Sequence, residues 1–267
     1  MKKIKKLTLL QESLLLKEAS MASASIGNGL TLLRKADISN KGNYYQSFFQ
    51  LTIGLERLMK IIIISKYRGE NEQFPNNKIL REYGHKINNL FDVVSEYYNG
   101  NYENPKQNNI CREMLTFLTE YAMNARYYNL DVLTNREVNT LDPLIHWSNI
   151  QNLIRDKHKK HVNKEKQKFM RLLNTIMNEN SSVYIFNEQN KLITNYNDLS
   201  THSDDLDFIQ GYATFYMLKI IDYLIDNLMN IEEQYKLYPF LREFFYYYHG
   251  DYLKPYEKRR KKNWLYP

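Results

Sequence analysis

The stretch Tyr44–Tyr67, YYQSFFQLTIGLERLMKIIIISKY, decides the fold class. Phe48, Leu51, Leu55, Leu58 and Ile62 recur at spacings of three and four, so a helix would carry them all on one face. No proline or glycine pair interrupts them. The opposite face carries Glu56, Arg57 and Lys60. A helix of this length with one apolar stripe needs other helices to cover that stripe.

The flanking segments supply them. Leu7–Ala36 reads as a long helix, with Leu10, Leu14, Leu15 and Ala19 at helical spacing. Gly27-Asn28-Gly29 is the place where it is expected to kink or break. Lys78–Tyr83 reads as a short helix capped by Asn77 and ended by Gly84. His85–Tyr98 turns Ile87, Leu90, Phe91 and Val94 inward. Asn108–Tyr128 does the same with Ile110, Met114, Phe117, Tyr121 and Ala125. Asp142 and Pro143 form a helix start, and that helix is expected to run from Leu144 to about Met177. Ser181–Ser203 changes character and contains a hairpin candidate at residues 182–194, with an irregular excursion as the alternative. Asp204–Ile231 returns to helix. Tyr238–Tyr248 is a short aromatic helix, and a basic tail follows.

The expectation is an all-α antiparallel multi-helix bundle over residues 1–178. A C-terminal helical extension over 179–267 packs on it and ends in the basic block at 258–262. The chain has 267 residues, 37 Lys plus Arg against 30 Asp plus Glu, nine Gly and six Pro. So few Gly and Pro argue against an all-β fold, which needs a turn signal every 8–12 residues or so. Cys111 is the single cysteine, which excludes an intrachain disulfide and any multi-cysteine metal site. Basic residues before Leu7–Leu10 imitate a signal peptide, but Gln11, Glu12 and Lys17 interrupt the apolar run. Ile61–Ile64 is far short of the roughly 18 residues needed to span a bilayer. A cytoplasmic protein without a membrane partner is expected.

Four polar clusters carry candidate chemistry. Glu56 and Lys60, four apart, form either an exposed helical pair or part of a cleft beside an arginine. Arg126-Tyr127-Tyr128-Asn129-Leu130-Asp131 closes a helix. Arg126 and Asn129 share a face there, and the tyrosines serve either the core or base stacking. Arg155-Asp156-Lys157-His158-Lys159-Lys160-His161 is the densest cluster. It reads as a solvated basic face, or as a site for phosphate binding and proton transfer. Zinc through His158, His161 and Glu165 lacks the i, i+4 histidine pair of a helical metalloprotease, so no metal or other cofactor is expected. Lys258-Arg259-Arg260-Lys261-Lys262, followed by Trp264 and Tyr266, reads as a solvated tail or as a contact for a nucleic-acid backbone. Cys111 lies on an apolar helix and reads as core.

Several short strings together resemble bacterial HEPN-like (higher eukaryote and prokaryote nucleotide-binding) domain proteins. They are Gly54-Leu55-Glu56-Arg57-Leu58-Met59-Lys60, Tyr83-Gly84-His85, Ala125–Asp131, and Asp142-Pro143-Leu144 leading to Trp147. The resemblance spans roughly Leu10 to His161. It implies a dimerising helical bundle of the toxin or abortive-infection type, directed at RNA. Active members are often metal-independent endoribonucleases. It also implies a homodimer, and an antitoxin or other antiphage defence protein as a further partner.

The family motif is an arginine, an adjacent polar residue and a histidine four to six positions later. Arg155, Asp156 and His161 meet that spacing. Arg126 sits where the local strings align best, but Asp131 stands in the histidine's place. The catalytic candidates implied are therefore Arg155 and His161, with Arg126 and Asp131 as a second or degenerate site. Asn129, His158 and Lys258–Lys262 are the RNA-binding candidates. A non-catalytic nucleotide- or protein-binding module is the alternative.

Overall fold

A computed structural model describes residues 6–158, 175, 183–196, 198–199, 206–250 and 254–265. The described residues form an all-α bundle with one small hairpin. The helices are α1 (Leu9–Lys35), α2 (Gly42–Asn71), α3 (Asn77–Glu82), α4 (Ile87–Glu96), α5 (Asn109–Met123), α6 (Tyr128–Leu133), α7 (Pro143–His158), α8 (Leu206–Tyr235) and α9 (Pro255–Arg260). Strands β1 (Ile185–Phe186) and β2 (Leu192–Ile193) pair antiparallel, Ile185 opposite Ile193. The expected hairpin is thus present. Among the described residues, no helix is long and apolar enough to cross a membrane.

α1 and α2 form the tightest helix pair. Gly27-Asn28-Gly29 does not break α1, which runs through it without interruption. The glycines let other chain segments approach. A Cβ on Gly29 would lie 2.6 Å from Leu51 Cγ, and one on Gly54 would lie 2.9 Å from the Ile26 nitrogen. Ser47 seals the crossing by donating its hydroxyl to the Gly29 carbonyl at 2.8 Å. Thr8 caps α1, and its partner Gln11 returns a bond to the Thr8 backbone.

All five stripe residues of α2 are fully buried. The inward residues expected on α4, Ile87, Leu90, Phe91 and Val94, are buried too. The short helix before it is capped by Asn76 rather than Asn77, with the Asn76 side chain accepting the Lys78 N–H. Gly84 follows at φ 55°.

α8 runs through the core and is buried on nearly all sides. Its Met217, Ile220, Leu224 and Leu228 belong to the same apolar cluster as Phe48, Phe91, Phe117 and Trp147. A buried polar knot ties it to the rest. The Tyr44 hydroxyl accepts from Gln210 Nε2 at 2.9 Å and from Gln151 Nε2 at 3.2 Å, and donates to Glu188 Oε1 at 3.4 Å. α2, α7, α8 and the hairpin turn therefore meet at one phenol. Burial, with Glu188 beside it, raises the pKa of that phenol and keeps it neutral.

Candidate functional site

The expected helix over Asn108–Tyr128 stops early. α5 ends at Met123, and a 3-10 turn over Ala125–Tyr127 leads into α6. Asn124, at φ −132° and ψ −33°, leaves the helical backbone. Ala125 still points inward, so the apolar spacing runs on across the break. Arg126 and Asn129 thus sit on separate elements instead of one helix face. Asp131 belongs to α6.

The Arg126 guanidinium lies over the Phe49 ring, 5.2 Å from its centroid. Its Nε is buried without a hydrogen-bond partner, and among the described residues Arg126 makes no ion pair. Asn129 Nδ2 donates to the Tyr45 hydroxyl at 3.3 Å, and the Tyr121 hydroxyl donates to the Tyr45 carbonyl at 3.1 Å. Asp131 is engaged by Arg136 at 3.2 Å.

The second cluster forms where the last described turn of α7 meets α8. Asp142 starts α7 by accepting the Leu144 N–H at 2.8 Å, as the Asp-Pro pair predicts. At the other end the His158 ring stacks on Tyr212, centroids 3.7 Å apart and planes 19° from parallel. His158 Nε2 is 2.9 Å from the Tyr216 hydroxyl. Tyr212 and Tyr216 are four apart on α8 and so share a face.

Three cations converge on these rings. Arg259 from α9 lies 4.8 Å from the Tyr212 centroid, Lys157 lies 5.4 Å from that of Tyr216, and Lys219 lies 5.2 Å from that of Phe215. Gly211 makes room for α9, since a Cβ there would lie 2.6 Å from the Arg259 carbonyl oxygen. Burial pushes the Tyr216 phenol up to about 12, so it stays protonated near neutrality. Burial likewise pushes the Cys111 thiol up to about 12, against the pull of Lys219 and Lys157. Its Sγ faces the Tyr216 carbonyl at 3.6 Å, and the residue is core, as expected.

Arg155 is half-buried and donates to the Asn152 side-chain oxygen on its own helix. His161, Lys159, Lys160 and Glu165 lie outside the described residues, and so do the zinc reading and the far half of the expected Arg155–His161 motif.

The two clusters do not meet within one chain. Cys111, in the first turn of α5, touches the Tyr216 backbone beside His158, whereas Arg126 follows the last turn of α5. α7 runs antiparallel alongside, with Trp147 packed on Phe117. Arg126 and His158 therefore sit at opposite ends of α5, roughly 20 Å apart at 1.5 Å per residue.

The basic block is not a free tail. The Lys262 ammonium pairs with Asp207 at 3.0 Å, and Lys258 donates to the Gly250 carbonyl at 2.8 Å. Lys261 lies 4.9 Å from the Trp264 centroid, and its backbone carbonyl accepts from buried Arg34 Nε at 3.2 Å. Arg260 is exposed. Trp264 is itself buried.

Glu56 turned out to face both Lys60, at 2.7 Å, and His85, at 2.9 Å, and its side chain is only 14% exposed. Burial alone would raise its carboxyl pKa, but the Lys60 and His85 hydrogen bonds outweigh that and hold it below the usual range. Glu56 and His85, from two separate strings of the sequence, thus share one contact. The residues missing from the sequence reading are Tyr212, Tyr216 and Lys219 as a platform. Tyr212 lies at apolar helical spacing within its own segment, and nothing local pairs these residues with His158.

No family model, curated protein or solved structure matches the chain.

Proposed function

We propose that the chain is an HEPN-like, RNA-directed protein that takes the RNA backbone on the face built by Lys157, His158, Lys219 and Arg259. One observation carries this reading: cations from α7, α8 and α9 gather over the Tyr212, Phe215 and Tyr216 rings at a place where the chain leads on to His161. Cations interleaved with aromatic rings suit a phosphodiester chain, because the charges meet phosphates while ring faces and edges meet bases and sugars. Within this reading Arg155 holds a phosphate. His161 moves the proton of the 2′-hydroxyl as a general acid–base group, with no metal in the step. Two chains pair to form the working site, in a bacterial defence or toxin system.

A binding-only reading has its own support. Asp131 is committed to Arg136, and Arg126 lies a helix length from His158, so the Arg126 cluster adds nothing to proton transfer at Arg155 within one chain.

A fluorescent single-stranded RNA titrated at several salt concentrations tests the binding face. Lys157→Glu with Lys219→Glu should flatten the logarithmic salt dependence by about two phosphate contacts. Unchanged affinity and slope in that variant remove the proposed face. Incubation with RNA, with and without EDTA, separates the two readings. Cleavage that survives chelator and is lost in Arg155→Ala plus His161→Ala supports the enzyme. Binding without cleavage supports the module. A solution mass measurement tests the pairing.

A further inference from the structure

The Arg126 cluster combines three features. The guanidinium is stacked on Phe49 and its Nε is buried, yet among the described residues it has neither hydrogen bond nor ion pair. A partly desolvated cation without an anion is an unfavourable arrangement that an incoming carboxylate would relieve. The side chains that follow it in the chain are apolar and open. Tyr127 is 67% exposed, Leu130 60% and Leu133 77%, at intervals of three, with Met123 and Val132 exposed beside them. Large apolar side chains exposed together along one short segment mark interaction sites, and Arg and Tyr are among the residue types that dominate protein contacts.

Two further groups are already partnered. Arg136 is paired with Asp131, and His146 is hydrogen-bonded to Glu120 at 3.0 Å. A nucleic-acid surface would need several free cations, whereas the described residues here offer Arg126 beside an Arg136 already paired with Asp131, inside an apolar rim.

We propose that the face formed by Arg126, Tyr127, Leu130 and Leu133 docks a protein segment that brings one carboxylate flanked by apolar side chains. The carboxylate takes the open edge of the Arg126 guanidinium, and the flanking side chains cover Leu130 and Leu133. Asn129 and the Tyr45 hydroxyl supply the polar rim. The inference does not depend on RNA binding, which is assigned to the other end of α5.

Panning a library of random 12-residue peptides displayed on phage against the full chain tests it. The expected result is enrichment of sequences with Asp or Glu between apolar residues. The enriched peptides should bind Arg126→Gln, and separately Leu130→Ser with Leu133→Ser, at least about tenfold more weakly. RNA affinity of Arg126→Gln should stay within about twofold of the parent chain. Replacing the peptide's own acidic residue by its amide should give the same loss, a measurement that needs no altered protein. No acidic–apolar enrichment, indifference of the peptides to Arg126→Gln or to their own amide replacement, or loss of RNA binding in Arg126→Gln would each overturn the proposal. The last outcome would assign the cluster to RNA instead.

Discussion

Glu232 closes the backbone of Leu241. Its Oε1 accepts the Leu241 N–H at 2.7 Å and the Arg242 N–H at 3.3 Å, which joins the end of α8 to the start of the 3-10 segment Leu241–Tyr248. The carboxylate is 1% exposed. The Arg242 guanidinium approaches Oε2 only to 3.6 Å and also pairs with Glu233 at 2.8 Å. Burial therefore prevails over the two N–H donors and the arginine, and pushes the Glu232 carboxyl up to about 7.

The sign of the resulting pH dependence is fixed. An unfolded glutamate titrates near 4.3, so the folded chain holds this proton more tightly than the unfolded one. The stability it contributes is complete below that lower value and is lost as pH rises toward about 7. The loss is on the order of 3 kcal/mol. Glu232→Gln keeps an oxygen for the Leu241 N–H and removes the charge. Thermal melts between pH 4.5 and 8 should show the variant gaining on the parent chain as pH rises, with most of the gain reached by pH 8. Parallel curves would show that Glu232 ionises freely in the fold.

The α1–α2 crossing gives a packing prediction. A methyl at Gly54 meets the Ile26 backbone nitrogen at 2.9 Å and Ile26 Cγ1 at 2.7 Å, and backbone on a rigid helix cannot step aside. Gly54→Ala gains about 1 kcal/mol of helix propensity but suffers overpacking of about 1–3 kcal/mol. A net loss is expected in urea melts. Gly42, at the start of α2, has only an Asn40 side-chain atom at 3.9 Å in that direction. Gly42→Ala should be neutral or stabilising in the same assay. Equal effects at the two positions would mean that the crossing is looser than the geometry states.

These glycines also show where sequence reading stops. The stripe on α2 was legible because a single apolar face is a property of one segment. Gly27-Asn28-Gly29 looked like a break because its local propensity is poor, and the partners that reward the absence of a Cβ, Leu51, Trp264 and Tyr248, are remote in the chain. The turn at Asn124 leaves no mark in the apolar pattern because Ala125 keeps the inward spacing. The basic block looked solvated because its anion Asp207 and its aromatic contacts come from α8 and the preceding 3-10 segment. The Arg155–His158 string stood out as a charge run. The rings that receive it lie on α8, far along the chain.

The RNA face has a control built into it. Arg259 is held against Tyr212, while Arg260, its neighbour in sequence, is exposed. If backbone contact depends on the built face rather than on charge density, Arg259→Gln should weaken RNA binding more than Arg260→Gln at equal change in net charge. Filter binding at about 50 mM and 200 mM salt, where backbone contacts separate clearly, measures both. Equal losses would indicate a diffuse electrostatic contact.

The C-terminal segment is held by Trp264, and its release can be measured. The Trp264 ring is buried, its N–H on the backbone donates to Thr31 Oγ1 at 2.8 Å, and its carbonyl accepts the Tyr248 hydroxyl at 3.3 Å. The same carbonyl lies where a Cβ on Gly27 would fall, at 2.6 Å. Trp264→Ala should cost about 3–5 kcal/mol if the segment unfolds together with the bundle. If the segment detaches alone, the melt changes little and trypsin cuts at Lys258–Lys262 at once, because peeling off the segment frees the backbone around these basic residues while α1–α8 stay packed. Gly27→Ala, which crowds the same carbonyl from the α1 side, should reproduce whichever pattern Trp264→Ala gives. Resistance to trypsin in both variants, with unchanged melts, would show that the segment is held by its cation–ring contacts and not by the Trp264 anchor.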